Sequence, residues 1–334
     1  MTRHAAGGFN RWLQMIAWGL LVLLVMVGLL LAFALVPTIA DPTLHYTDRK
    51  GQLIEAKQTA QWHNEDSIFT ELTLVSSSGL RVELSTRIPK TIVSPRPMVL
   101  LLGGRRTGRD AVKLITDTHD VALAAISYPY SGDRKARGMA LFTDLYDIQQ
   151  AIKDTTPALM LAMDYLVTLP QLNPRRIELA GVSLGAFFVS TPGALDQRFR
   201  RVWLIHGAGE PAKVLGKGTE RYFSPRPLNY IAGKLLGWMT LSHHLRPEDW
   251  VGRISPRPVI IINARDDPSF PDTSIKVLHN ATTEPYENIW MQGENIMQSR
   301  TEIVEALSSL VLKRVAIDMP TNLDNYVRNQ LTIT

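Results

Sequence analysis

Cysteine is absent from all 334 residues, which removes disulfides, thiolate metal sites and a thiol nucleophile together. Histidine is sparse, with eight in the chain and none after His279. Basic residues exceed acidic ones by five (36 against 31). They are scattered in ones and twos and no nucleic-acid motif accompanies them, so a nucleic-acid partner is not expected. Charge of either sign is missing from residues 12–40. Within that stretch, residues 16–36 are an almost continuous run of Leu, Val, Ala, Met and Phe, long enough to cross a bilayer as a helix. Residues 12–40 therefore read as a transmembrane anchor behind a short basic N-terminus (1–11), in preference to a signal peptide cleaved after Thr38-Ile39-Ala40. Arg3 and Arg11 before the segment are balanced by Arg49 and Lys50 after it, so charge bias decides little. A short basic leader ahead of the first apolar segment favours a single-pass arrangement with the remaining domain outside the cytoplasmic membrane.

The rest is 45% hydrophobic and 20% charged over the whole chain, ordinary globular material. Residues 41–66 are polar, hold Pro42 and Gly51 and lack periodicity, which reads as a linker. The main domain is expected over 67–316, with a polar tail at 317–334. Its first feature is a hairpin signal, two β-rich runs at 69–75 and 80–88 around Ser76-Ser77-Ser78-Gly79. Apolar runs at 98–102, 121–127, 202–206 and 259–263 read as buried strands. Helical patterns at 144–154 and 157–169 lie between them, the second with Pro157 in its first turn. Strands alternating with helices predict an α/β domain with a doubly wound, mostly parallel sheet. Residues 210–252 are too long for a simple connection and are expected to form a small helical cap.

Chemistry concentrates at residues 176–191. Ile177 and Leu179 alternate with Glu178, then comes Gly181-Val182-Ser183-Leu184-Gly185, and Leu184, Phe187 and Phe188 follow at helical spacing. A Gly-x-Ser-x-Gly between strand and helix is a nucleophile elbow, with Ser183 as candidate nucleophile and the Leu184 amide as one oxyanion donor. Gly103-Gly104-Arg105-Arg106-Thr107-Gly108 leaves an earlier strand and can supply the second donor from Gly104 or Arg105. It lacks the Lys-Ser/Thr pair of a phosphate loop, and plain turn chemistry stays open. Tyr128 and Tyr130 close another strand, either as substrate contacts or as aromatic packing under the loop. His243 and His244 stand near Glu248, but Pro247 interrupts any shared helical face, so they read as surface or cap residues and no metal site is expected.

The hairpin, the Gly-Gly loop, the elbow and the segment Ile254-Ser255-Pro256-Arg257-Pro258-Val259 together resemble an α/β-hydrolase, in particular the dienelactone-hydrolase and acetyl-esterase branch, over residues 67–315. The resemblance implies a triad in the order Ser, acid, His. The acid then falls on Asp267, four positions before Pro271, with Asp266 as fallback. The resemblance places the histidine in a Gly-x-His turn after the last strand, here 288–291, where the chain reads Gly293-Glu294-Asn295-Ile296, so Asn295 occupies its position. An amide does not accept the serine proton at neutral pH. Three readings follow: a base supplied by Glu294, His206, His243 or His244, of which His206 at a strand's carboxyl end is best placed; an impaired hydrolase that binds a ligand or partner; or a substitution at Asn295 in an otherwise ordinary hydrolase. The implied activity is hydrolysis of a small ester or acyl substrate, with no metal or organic cofactor. The alternative is a pseudoenzyme of the cell envelope that binds a ligand or protein partner.

Overall fold

The computed structural model describes residues 14–28, 39–91, 94–104, 106–132, 143–220, 226–265, 267–291 and 301–317. The chain divides into two units, Met1–Ala40 and Asp41–Thr334. In the first, residues 14–28 form a helix (α1) whose apolar side chains are exposed, among them Met15, Trp18 and Leu24. Fifteen residues at about 1.5 Å each span roughly 22 Å, short of a hydrocarbon core of about 30 Å. Among the described residues no helix is long and apolar enough to cross a membrane. Much of the anchor expected at 12–40 lies outside the described residues.

The second unit is built on one nine-stranded sheet. Its strands are β1 (Leu53–His63), β2 (Ser67–Ser76), β3 (Arg81–Pro89), β4 (Arg96–Leu102), β5 (Ala122–Ile126), β6 (Leu172–Val182), β7 (Val202–Ile205), β8 (Val259–Ala264) and β9 (Tyr286–Met291), in spatial order β1-β2-β3-β5-β4-β6-β7-β8-β9. From β5 to β9 every pairing is parallel, and β1 to β3 add antiparallel edge strands. The chain leaves β4 to one side for β5 and returns to its other side for β6. The crevice at the carboxyl ends of β4 and β6 is therefore the switch point, where open α/β sheets bind ligands.

Helices cover both faces, which is why the central strands are uniformly apolar. On one face α3 (Ala111–Leu114) and α9 (Thr301–Ala316) pack Val112, Leu307, Val311 and Leu312 onto Val99, Leu123, Trp203 and Ile260. The other carries α4 (Leu145–Leu166) and α5 (Ser190–Leu195). Glu178 does not face solvent, despite its alternation with Ile177 and Leu179. Both faces are covered, so it is buried, accepting from Trp203 Nε1 at 2.6 Å with Arg201 at 3.8 Å.

Two boundaries differ from expectation. Residues 41–66 are not a linker: α2 (Pro42–Lys50) is followed by β1, an 11-residue edge strand. Asp41 caps α2 by accepting from the Leu44 amide, Pro42 occupies the first turn and Gly51 ends it at φ 60°, the usual start and stop chemistry. Arg49 then holds α2 to α4 through two bonds of 2.7 Å to Asp154, and Lys50 reaches Asp164 at 2.6 Å. The helices expected at 144–154 and 157–169 are one helix, α4, with Pro157 inside it. The burial of residues 154–163 outweighs the one backbone donor that proline removes.

The described residues of 210–252 hold α6 (Pro211–Gly218), α7 (Arg226–Met239) and 3₁₀ turns at Ser242–His244, Pro247–Asp249 and Val251–Ile254. This region connects β7 to β8. The remaining helix, α8 (Asp272–Ala281), connects β8 to β9.

Candidate active site

Ser183 follows the last residue of β6 and opens a 3₁₀ turn, Ser183–Phe187, at φ 55°. A non-glycine residue in this left-handed region is held there by its surroundings. Both elbow glycines are required by close approach. A Cβ on Gly181 would lie 2.5 Å from the Gly185 carbonyl oxygen and 2.7 Å from Val189 Cγ2, and one on Gly185 would run into the carbonyl oxygen of Leu102. The elbow is thus wedged against the end of β4. Ser183 is half-buried and Leu184 is exposed, so the hydroxyl is reachable.

Gly103 and Gly104 line the same cavity as Ser183, a space of about 620 Å³. Tyr128, at the end of β5, donates its hydroxyl to the Gly103 carbonyl at 2.6 Å. The carbonyl of Gly103 and the amide of Gly104 belong to one planar trans peptide and point in opposite directions. Holding the oxygen therefore fixes where the Gly104 N–H is aimed. Tyr128 is 7% exposed and packs edge-on against Phe188, and burial pushes its hydroxyl pKa far up, so it stays a neutral donor. Tyr130 donates to Asp144 at 2.7 Å, and both tyrosines line a separate polar cavity of about 450 Å³ that Ser183 does not share. Arg105 lies outside the described residues; Arg106 is exposed at the Ser183 cavity.

The sheet brings Asp267 and His206 together. Val182 on β6 pairs with Ile205 on β7, so Ser183 and His206 each follow paired residues on neighbouring strands, about 4.8 Å apart. His206 also has positive φ, at 50°. Its Nδ1 lies 3.4 Å from Asp267 Oδ2, with both side chains almost wholly buried. Its Nε2 is buried with no hydrogen-bond partner. Burial by itself raises the Asp267 pKa, but hydrogen bonds from His206 and from Ser269, whose amide donates at 2.8 Å, outweigh it and hold the carboxyl below the usual carboxylate range. Asp267 is thus an anion beside an imidazole. Asp266, Glu294 and Asn295 lie outside the described residues.

The other two candidate histidines lie outside this pair, and His244 Nε2 is likewise buried without a hydrogen-bond partner. His243 and His244 sit in the cap with ring centroids 4.1 Å apart, and His243 Nδ1 is 3.2 Å from the Gly237 carbonyl. Burial, with His243 and His45 nearby, lowers the His244 pKa to about 4. His279 bonds Asn263, and Asn263 Nδ2 donates to the carbonyl of Gly207, beside His206, at 2.9 Å. Sequence reasoning passed over this clamp, although an Asn within the apolar run of β8 is its signal. Among the described residues no group of three or more His, Asp or Glu side chains is arranged to hold a metal ion.

Neither a protein-family model nor a curated protein sequence matches this chain. Solved structures do. An acetyl xylan esterase from Paenibacillus superposes with a TM-score of 0.58 at 15% identity, covering 82% of this chain and 98% of its own. Acetyl xylan esterase 1 from Thermoanaerobacterium gives 0.57 at 13% identity, covering 83% and 95%. The α/β hydrolase GrgF from Penicillium gives 0.53 at 16%, covering 75% and 99%. The chain has the α/β-hydrolase fold. At these identities the likeness extends to architecture, and function has to be argued from the site itself.

Proposed function

We propose that this protein is a serine hydrolase of ester or acyl substrates in which Ser183 is the nucleophile and His206, oriented by Asp267, replaces the base expected at Asn295. The observation that carries the reading is the imidazole of His206, with one nitrogen on a buried carboxylate and the other buried and unpartnered, at the end of the strand beside the one that leads into Ser183. An Asp on Nδ1 fixes the tautomer that leaves Nε2 as acceptor, and it stabilises the imidazolium formed later. In this reading Ser183 Oγ attacks the substrate carbonyl carbon while its proton passes to Nε2. The oxyanion is held by the amides of Leu184 and of Gly104 or Arg105. The alcohol leaves with the proton from Nε2, and a water then attacks the acyl-enzyme, giving its proton to Nε2 and returning Ser183 to its hydroxyl form.

A second reading has one observation in its favour. No hydrogen bond joins His206 to Ser183, which suits an impaired hydrolase that binds a ligand or partner. Catalytic bonds are often long before substrate arrives, so the enzyme is the better reading. We also propose that residues 12–40 tether the protein to a membrane with the domain on the outer side; the support is the charge-free apolar run in the sequence.

The deciding experiment is fluorophosphonate labelling of the full-length wild type, Ser183→Ala, His206→Gln and Asn295→His. Labelling lost in both Ser183→Ala and His206→Gln is the expected result. Labelling that survives His206→Gln removes His206 from the mechanism. Labelling seen only in Asn295→His identifies a scaffold without its base and favours the binding protein.

A further inference from the structure

Between β7 and β8, α7 carries its large side chains on the outside. A surface helix ordinarily turns its apolar stripe to the core and its polar residues to solvent. In α7 the buried positions are Asn229, Gly233 and Gly237, one turn apart. They meet α6: a Cβ on Gly216 would lie 2.9 Å from the Asn229 carbonyl oxygen, and one on Gly233 would run into the carbonyl oxygen of Ala212. Backbones this close leave no room for bulky side chains between them, so those of α7 are left on the far side. Leu228, Ile231 and Leu235 are 47%, 60% and 39% exposed, at spacings of three and four that put them on one face. Half-buried Trp238 continues that face. Along its edge run exposed Tyr230 and Lys234, the ammonium 4.7 Å from the ring centroid.

Leu228, Ile231 and Leu235 have no hydrogen-bonding group, so whatever covers them is held by burial rather than by directed contacts. Charge narrows the choice. From Arg221 to Leu245 there is no acidic residue, while Arg221, Arg226 and Lys234 are basic. An apolar face edged by Tyr and Lys, within a basic stretch free of acids, is the make-up of a helix lying in the plane of an anionic bilayer. Length agrees: α7 has 14 residues, roughly 21 Å at about 1.5 Å each, too short to span a hydrocarbon core of about 30 Å. We propose that α7 docks on an anionic membrane surface, with Leu228, Ile231 and Leu235 in the acyl boundary and Lys234 at the level of the headgroups. The bilayer as occupant rests in part on the tether proposed for residues 12–40; the Ser183 chemistry does not enter.

The chain has no cysteine, so one introduced cysteine gives a unique label. Full-length protein carrying a nitrobenzoxadiazole dye at Leu228→Cys, Ile231→Cys or Leu235→Cys is reconstituted in vesicles of phosphatidylcholine and phosphatidylglycerol, with Glu55→Cys on the exposed edge of β1 as control. Lipid spin-labelled near the headgroup end of its acyl chains should quench the three α7 dyes by about twofold or more, as expected for side chains about 5–10 Å into the boundary, and leave the control unchanged. Phosphatidylcholine alone should weaken the quenching, because the attraction of the basic residues is lost. Ile231→Asp added to the Leu228→Cys protein should abolish it. Vesicle-bound protein whose α7 dyes are not quenched overturns the docking and leaves the tether at 12–40 standing; dyes that are then blue-shifted but unquenched put a second copy, or the chain's own apolar segment, on the face instead. Quenching as strong at Glu55→Cys, or unchanged by Ile231→Asp, also overturns it, and quenching equal in phosphatidylcholine overturns the anionic partner. Protein that does not associate with vesicles at all overturns the tether and the docking together.

Discussion

Tyr128→Phe removes one oxygen from the interior and tests whether the Gly103-Gly104 peptide is aimed by a side chain. The ring stays packed against Phe188, so the perturbation is confined to the 2.6 Å bond to the Gly103 carbonyl. Gly103 is buried, and an acceptor left without its donor in such a place costs about 1–3 kcal/mol. At about 2–4 °C per kcal/mol for a domain of this order of size, the melting temperature should fall by several degrees. The catalytic effect follows from the same bond. Losing an oxyanion donor outright costs about 10²–10³ in kcat. A donor that is loosened but present should cost about tenfold, with KM within twofold because the ground-state carbonyl depends on it less. The assay is steady-state hydrolysis of a chromogenic ester beside thermal unfolding of the same preparation. A loss confined to stability, with kcat untouched, would refute the positioning role. An unchanged melting temperature would refute the bond itself.

Asp267→Asn should keep the fold and lower kcat by about 10³–10⁴, since an amide on Nδ1 stabilises the wrong tautomer of His206; activity within tenfold of wild type would exclude Asp267 as the orienting acid. The Asp267 pKa is held below its ordinary 3.8, so its contribution to stability is present above that pH and is lost as pH falls through the lowered value. Urea unfolding below pH 4 should therefore show a shallower acid loss in Asp267→Asn than in wild type. His244 acts at higher pH: its pKa is lowered from 6.5 to about 4, so the unfolded chain binds the extra proton across that interval and stability rises with pH through it. His244→Gln should reduce that slope by up to one proton, with His45, whose pKa burial also lowers, retaining part of it. An identical slope in the variant would show that His244 is not shielded.

The α/β class and the positions of the central apolar strands were legible in the sequence because they rest on local rules. Buried parallel strands must be apolar on both faces, and the tight turn after β6 needs glycine on either side of Ser183, where a Cβ would meet backbone. Local rules also held the signal for α2, in Asp41-Pro42 and Gly51, but the polar composition of residues 41–66 masked it; Arg49 and Lys50 owe their role to Asp154 and Asp164, more than a hundred residues away. The site divides along the same line. Ser183 is fixed by its immediate neighbours. The pairing of His206 with Asp267 crosses 61 positions and arises because β7 and β8 run side by side in parallel, with Ile205 opposite Ile262. Tyr128 had two readings in the sequence; only the arrival of β4 beside β5 set its hydroxyl on Gly103. The cavity beside Ser183 was invisible in the chain for the same reason: its lining comes from β4, β6, α3 and α9, elements far apart in sequence that only packing brings around one space.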